Sequence, residues 1–378
     1  MKKFTLLNIS VIFIFIFAIF SCKKFDENIE ASDTNNYLSR TVKIKKEQYR
    51  GNDGKMREIL VFSTDDDYFK KVDELEELAE AEEQKFLKKY PNATEEEINR
   101  YDSIENFDEY KVYKDFAQSM NFDALLYDYI DTENKWLNSD LDERYNPYRK
   151  FFGLDESELS ILNKDFSYKI KNNKINFIIK HFPDGVAVIT DGNYETLNHL
   201  SEFKTLAKSD VKSLKNVQYS YSSSSSCTSW NREVDYRTIG NGKRLYGITR
   251  VTRYYDVWGW MVSITKVKAK AKTVKKRWWC NCWRRYRVSH IKAAIDGELS
   301  LDYCNGQLRE YFNKNNNFKE KRNRSSVTYR FPYPPPDPYS WPWDRVYIAD
   351  DKLWGYFYAN GTEWFKLDFY DGDFVQIH

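Results

Sequence analysis

The strongest chemical signal in the 378-residue chain is a concentration of cations. Between Lys243 and His290 there are fourteen Lys or Arg residues and one acid, Asp256. Lys266, Lys268, Lys270 and Lys272 alternate with Val267, Ala269 and Ala271. On a strand this period puts the ammonium groups on one face and the small apolar residues on the other. Lys275, Lys276 and Arg277 follow, and Arg284, Arg285 and Arg287 return after a Trp-Trp-Cys-Asn-Cys-Trp segment. Such a surface attracts polyanions in a salt-dependent way, and its Arg and aromatic groups could stack on bases or sugar faces. The opposing reading is that lysine marks a solvated or edge strand. In one version of it, the basic face docks on the acidic part of the same chain and needs no partner.

A second candidate is the segment Phe331 to Trp343, which holds six of the nine prolines. Tyr339, Trp341 and Trp343 interleave with them, and the proline spacing favours an extended strip able to stack on a glycan. A cap of buried rings over the end of a β domain is the plainer role. Four cysteines, Cys227, Cys280, Cys282 and Cys304, cluster in the same half of the chain and are disulfide candidates. Pairing Cys280 with Cys282 is disfavoured on an extended strand, where residues i and i+2 stand roughly 6.5–7 Å apart. Cys227 and Cys304 would then each take one of the two, with zinc and His290 as an alternative that fits no standard ligand spacing.

Signals for catalysis are poor. The chain has four histidines, His181, His199, His290 and His378, and no HExxH, GxSxG, Walker A, GxGxxG or EF-hand pattern. No cofactor or metal is implied. Two carboxylates distant in sequence could still make a glycosidase site.

The elements that position these residues divide the chain. A strand from Arg57 to Phe62 runs into Thr64 and three aspartates, a helix start. Phe69, Val72, Leu75, Leu78 and Ala79 recur at helical spacing in a run closed by Pro91. A new start follows at Asn92 to Glu95, and one helical stretch is expected from Asp108 to Trp136. Residues 21–150 carry 21 basic and 32 acidic side chains, so this part is acidic. Ser167–Ile170, Lys174–Lys180 and Gly185–Thr190 read as strands joined by turns, with a helix over Asn193–Phe203. Beyond the serine run Ser222–Ser226, alternation by two and ten of the eleven tryptophans indicate an antiparallel β region. The expected class is α+β: an acidic helical domain (59–160), a small β-hairpin unit (161–215), a Ser-rich linker (216–226) and a basic, Trp-rich sandwich or barrel-like domain (227–378).

The N-terminus supplies the address. Lys2 and Lys3 precede an apolar run, Val11 to Phe20, too short for the ~20 residues of a membrane span. Ile19-Phe20-Ser21-Cys22 resembles a bacterial lipoprotein lipobox, which implies cleavage of residues 1–21, acylation of Cys22 and a tether over 22–58. Lys23-Lys24-Phe25-Asp26-Glu27 resembles the surface-export signal of Bacteroidetes lipoproteins. Ile59-Leu60-Val61-Phe62-Ser63, Ser160-Ile161-Leu162-Asn163 with Gly185–Asp191, and the strands around Lys266–Trp279 resemble a group of uncharacterised Bacteroides-type lipoproteins. The resemblance implies export, an N-terminal helical part and a C-terminal β part, and no activity. The expectation is an outer-membrane lipoprotein at the cell surface, or else on the periplasmic face. Its partners would be the membrane, through its lipid, and an anionic polysaccharide or other polyanion.

Overall fold

The computed structural model describes residues 42–183, 185–206, 213–221, 231–253, 265–280, 282–301, 308–332, 346–360 and 364–368. All of them belong to one compact unit. The chain is α+β, with seven α-helices and three sheets among the described residues.

The first sheet holds β1 (Lys45–Arg50), β2 (Met56–Phe62), β3 (Ser167–Lys171), β4 (Asn176–Phe182), β5 (Gly185–Ile189) and β6 (Val217–Tyr221), in that order across the sheet. β2 and β3 are parallel, and every other neighbour is antiparallel. A parallel step needs a long crossover, and the six helices of the acidic segment provide it. β1 lies within the stretch expected to be a tether. Its sequence, KKEQYR, buries only Tyr49, so a charged edge strand left no apolar alternation to read.

The crossover helices are α1 (Asp65–Lys88), α2 (Glu95–Glu105), α3 (Lys111–Ser119), α4 (Leu125–Asn138), α5 (Pro147–Lys150) and α6 (Glu156–Ile161). Thr64 caps α1 by accepting from the Asp67 amide at 3.1 Å, and Asp65, Asp66 and Asp67 fill its first turn. Thr94 with Glu97, and Asp155 with Glu158, form capping boxes at α2 and α6. The stretch expected to be one helix from Asp108 to Trp136 is two. The chain turns between α3 and α4 with Asn121 at φ 45°, while the apolar spacing continues because both helices bury side chains in the same layer. After β5 comes α7 (Tyr194–Leu200), whose Leu197 and Leu200 pack on Ile59, Ile178 and Ile189 of the first sheet.

The second sheet is formed by β7 (Asn231–Thr238), β8 (Lys243–Arg253), β9 (Thr265–Lys276), β10 (Trp283–Arg285) and β14 (Ser326–Pro332), with β9 between β8 on one side and β10 and β14 on the other. The third contains β11 (Ile291–Leu301), β12 (Leu308–Phe312), β13 (Phe318–Lys321), β15 (Val346–Ala359) and β16 (Phe365–Asp368). Val267, Ala269 and Ala271 of β9 share one apolar cluster with Ile291, Ala293 and Ile295 of β11 and Phe357 of β15. Two glycines permit the close approach. A Cβ on Gly355 would lie 2.4 Å from Thr249 Cγ2, and one on Gly247 would lie 2.5 Å from the Phe357 ring.

Candidate functional site

The alternation read along β9 holds, and both of its faces are covered. Val267, Ala269 and Ala271 enter the core between the second and third sheets. Lys268, Lys270 and Lys272 point the other way and are each only 4% exposed. The crossover helices cover them. Lys268 Nζ lies 2.8 Å from Asp155 Oδ2 and also donates to the Gly153 carbonyl at 2.5 Å. Lys270 bridges Asp155 at 2.9 Å and Glu156 at 2.6 Å. Lys272 reaches Glu156 at 2.7 Å and the Tyr129 hydroxyl at 3.0 Å. Neighbouring strands add Arg250 on Glu158 at 2.8 Å and Arg330 on Asp155 at 2.5 Å.

These three lysines are therefore not part of a solvent-facing anion surface. The anion-binding assignment of Lys268, Lys270 and Lys272 is corrected for a plain electrostatic reason: the acids that neutralise them come from the same chain. Asp155 and Glu158 serve twice, as the capping box of α6 and as counter-ions. Burial disfavours the charge on Glu156, but Lys270 and Lys272 outweigh it and hold its carboxyl far below the ordinary range. Burial likewise opposes the Lys272 ammonium, and Glu156 keeps its pKa above the usual value.

Farther along the seam, Arg285 forks onto Glu109 and onto Glu133 at 2.6 Å. Arg287 contacts Glu83 at 2.6 Å and Asp102 at 2.5 Å, and Arg324 also meets Glu83, at 2.9 Å. Arg285 and Arg287 thus lie in the seam as well. Glu109 and Glu133 line a cavity of about 570 Å³ with Tyr110 and Trp283, the setting in which a two-carboxylate glycosidase site would be sought. Their environments pull them apart. Burial pushes Glu133 up to about 7 against the attraction of Lys272, whereas Arg285 and Arg287 overcome burial at Glu109 and hold it at about 2.

The oxygens are nevertheless committed. Glu133 Oε2 accepts from Tyr110 at 2.5 Å as well as from Arg285, and Oε1 faces the Tyr148 hydroxyl at 3.5 Å and Lys272 at 3.8 Å. Glu109 accepts from Arg285 and, at 2.8 Å, from Ser325. These contacts tie both carboxylates into the packing of the helices against the second sheet.

The remaining cations sit differently. Lys275 is half-buried with its ammonium 4.4 Å from the centre of the Tyr286 ring, and half-buried Arg284 donates to Ser103 Oγ at 3.3 Å. Lys276 is exposed and 3.1 Å from Asp140. Arg277 is exposed and has no ion-pair partner among the described residues. Lys266 belongs to β9, but its side chain is outside the described residues, as are Cys22, Cys227, Cys304, Tyr339, Trp341 and Trp343.

Cys280 and Cys282 are disulfide-bonded to each other, against the expectation that each would seek a distant partner. That expectation assumed an extended strand. The two residues instead sit in the turn joining β9 to β10, where their Cα atoms are 5.1 Å apart, within the range a disulfide spans. Docking of the basic face on the acidic part of the chain is one of the two readings the sequence offers, but the individual counter-ions are not legible there. A net acidic segment was visible, but which carboxylates meet which lysines depends on contacts more than a hundred residues apart, such as Lys270 with Asp155. No group of metal-ligating side chains occurs among the described residues, and none of the helices there is long and apolar enough to cross a membrane.

The chain matches no family model, no curated protein and no solved structure.

Proposed function

We propose that this chain is an exported bacterial lipoprotein, held at the outer membrane through an acylated Cys22, that acts as a non-catalytic scaffold or binding body. The lipobox-like Ile19–Cys22 supports the anchoring. The observation that carries the scaffold reading is the seam: Lys268, Lys270 and Lys272 are ion-paired to Asp155 and Glu156 at 2.6–2.9 Å inside the molecule. Cations serving an external polymer must meet that polymer in water, and these cannot. Any contact with an anionic polysaccharide falls to cations outside the seam, chiefly Arg277. On this reading the second and third sheets are the two layers of an antiparallel sandwich, which their shared apolar cluster supports.

Two experiments test it. Metabolic labelling with palmitate is expected to mark the wild-type chain and leave Cys22→Ala blank; a blank wild type overturns the anchoring. On a heparin column the folded protein is expected to elute early. Strong, salt-sensitive retention would replace the scaffold with a polyanion-binding protein.

A further inference from the structure

The turn between β9 and β10 carries the largest exposed apolar side chains of the described residues. Trp278 is 91% exposed and Trp279 is 63% exposed. Indoles of this size left in water are a departure from how tryptophan is used, since its area is normally buried and its N–H paired. The turn is also held in shape. The Arg277 amide donates to the Cys282 carbonyl at 2.9 Å, Lys276 pairs in register with Trp283, and Cys280 is disulfide-bonded to Cys282 in the same turn. The two rings therefore project from a constrained hairpin end, with exposed Lys276 and Arg277 at their base.

We propose that this hairpin end is a membrane-contact site that inserts Trp278 and Trp279 into the headgroup region of an anionic lipid bilayer, with Arg277 and Lys276 against the lipid phosphates. Two observations favour a bilayer over a glycan or a nucleic acid strand. The rings stand at 88° to each other with centroids 5.6 Å apart, so they present no common plane on which successive sugars or bases could stack. Interfacial partitioning needs no such plane, because it follows the amphipathic character of each indole separately. The flanking charge is positive, which complements an anionic leaflet within a Debye length of its surface. Lys276 is shared with Asp140 at 3.1 Å, so Arg277 is the principal tip charge. The inference stands on the tip alone and holds whether or not Cys22 carries lipid.

The test uses the full chain mixed with vesicles of brominated phosphatidylglycerol, with brominated phosphatidylcholine as the uncharged comparison, and reads tryptophan fluorescence. Wild-type emission is expected to be quenched on the anionic vesicles, and that quenching is expected to vanish in W278S/W279S. Both positions are exposed, so the double variant should keep the wild-type circular dichroism and melting temperature. Arg277→Gln, with both indoles intact, is expected to weaken anionic-vesicle binding roughly fivefold, the effect of about one surface charge. Wild-type emission without quenching, or equal quenching in W278S/W279S, overturns the proposal. So does an emission shift caused by soluble heparin, but not by lipid, that W278S/W279S abolishes; that result assigns the tip to a polymer instead.

Discussion

At the scale of single residues, the seam converges on Asp155. Its carboxylate serves Lys268 at 2.8 Å, Lys270 at 2.9 Å and Arg330 at 2.5 Å, and its amide donates to Glu158 at 2.9 Å to begin α6. Asp155→Asn keeps the shape and the cap but removes the charge from beneath three cations. Breaking a buried pair this way costs about 3–5 kcal/mol, so denaturant unfolding should show a loss of that order. Lys270→Met should cost less, because Lys268, Lys272 and Arg330 still neutralise the same acids; equal losses would mean the charges act independently. Glu133 makes a separate prediction through its proton. Its carboxyl is pushed by burial from the ordinary 4.5 up to about 7, so between those values the folded state holds the proton more tightly than the unfolded state. Stability should therefore fall as pH rises through that window, by at most about 1.4 kcal/mol per pH unit from this group. Unfolding of Glu133→Gln across pH 5 to 8 should lack that component, and a slope unchanged from wild type would refute the assignment.

At the scale of elements, β9 shows how far local pattern reaches. The two-residue alternation assigned Val267, Ala269 and Ala271 to one face and the lysines to the other, and the strand follows it. What covers each face is a non-local matter, and Lys268 facing water or facing Asp155 reads identically in one strand's sequence. Helix starts were legible for the same local reason: Thr64 and Thr94 carry their caps within three residues. The break at Asn121 was not, since a left-handed asparagine interrupts the backbone without interrupting the apolar spacing. The Cys280–Cys282 bond was lost by treating a turn as a strand. Packing of the second sheet on the third depends on features smaller still. Gly355 has room for no Cβ, since one would lie 2.4 Å from Thr249 and 2.9 Å from Phe357. Gly355→Ala should thus cost about 1–3 kcal/mol by overpacking, visible as a lowered melting temperature. An unchanged melting temperature would show that the sheets can separate freely at this point.

At the scale of the whole molecule, the helical layer has two attachments. It is the crossover between the parallel strands β2 and β3, and it is the counter-ion layer of the second sheet. Removing it would strip Lys268, Lys270, Lys272, Arg250, Arg287 and Arg324 of their acids and return a face that is now buried to water. Helices and sheets should accordingly unfold in one transition, with helix ellipticity and tryptophan emission tracing the same curve. Salt and acid then have different expected effects. The seam pairs lie inside the molecule, so raising the salt to about 1 M, where the Debye length is ~3 Å, should move the melting temperature little. Acid reaches the carboxylates themselves. Glu156 lies far below its ordinary 4.5 and Glu109 is held at about 2, so their stabilisation is present above 4.5 and is lost as pH falls from there toward 2. Melting curves at high salt and over pH 7 to 3 decide the matter together. A helix signal that melts ahead of tryptophan emission, or a fold that salt dissolves as readily as acid, would mean that the acidic layer rests on the sheet from outside and does not complete it.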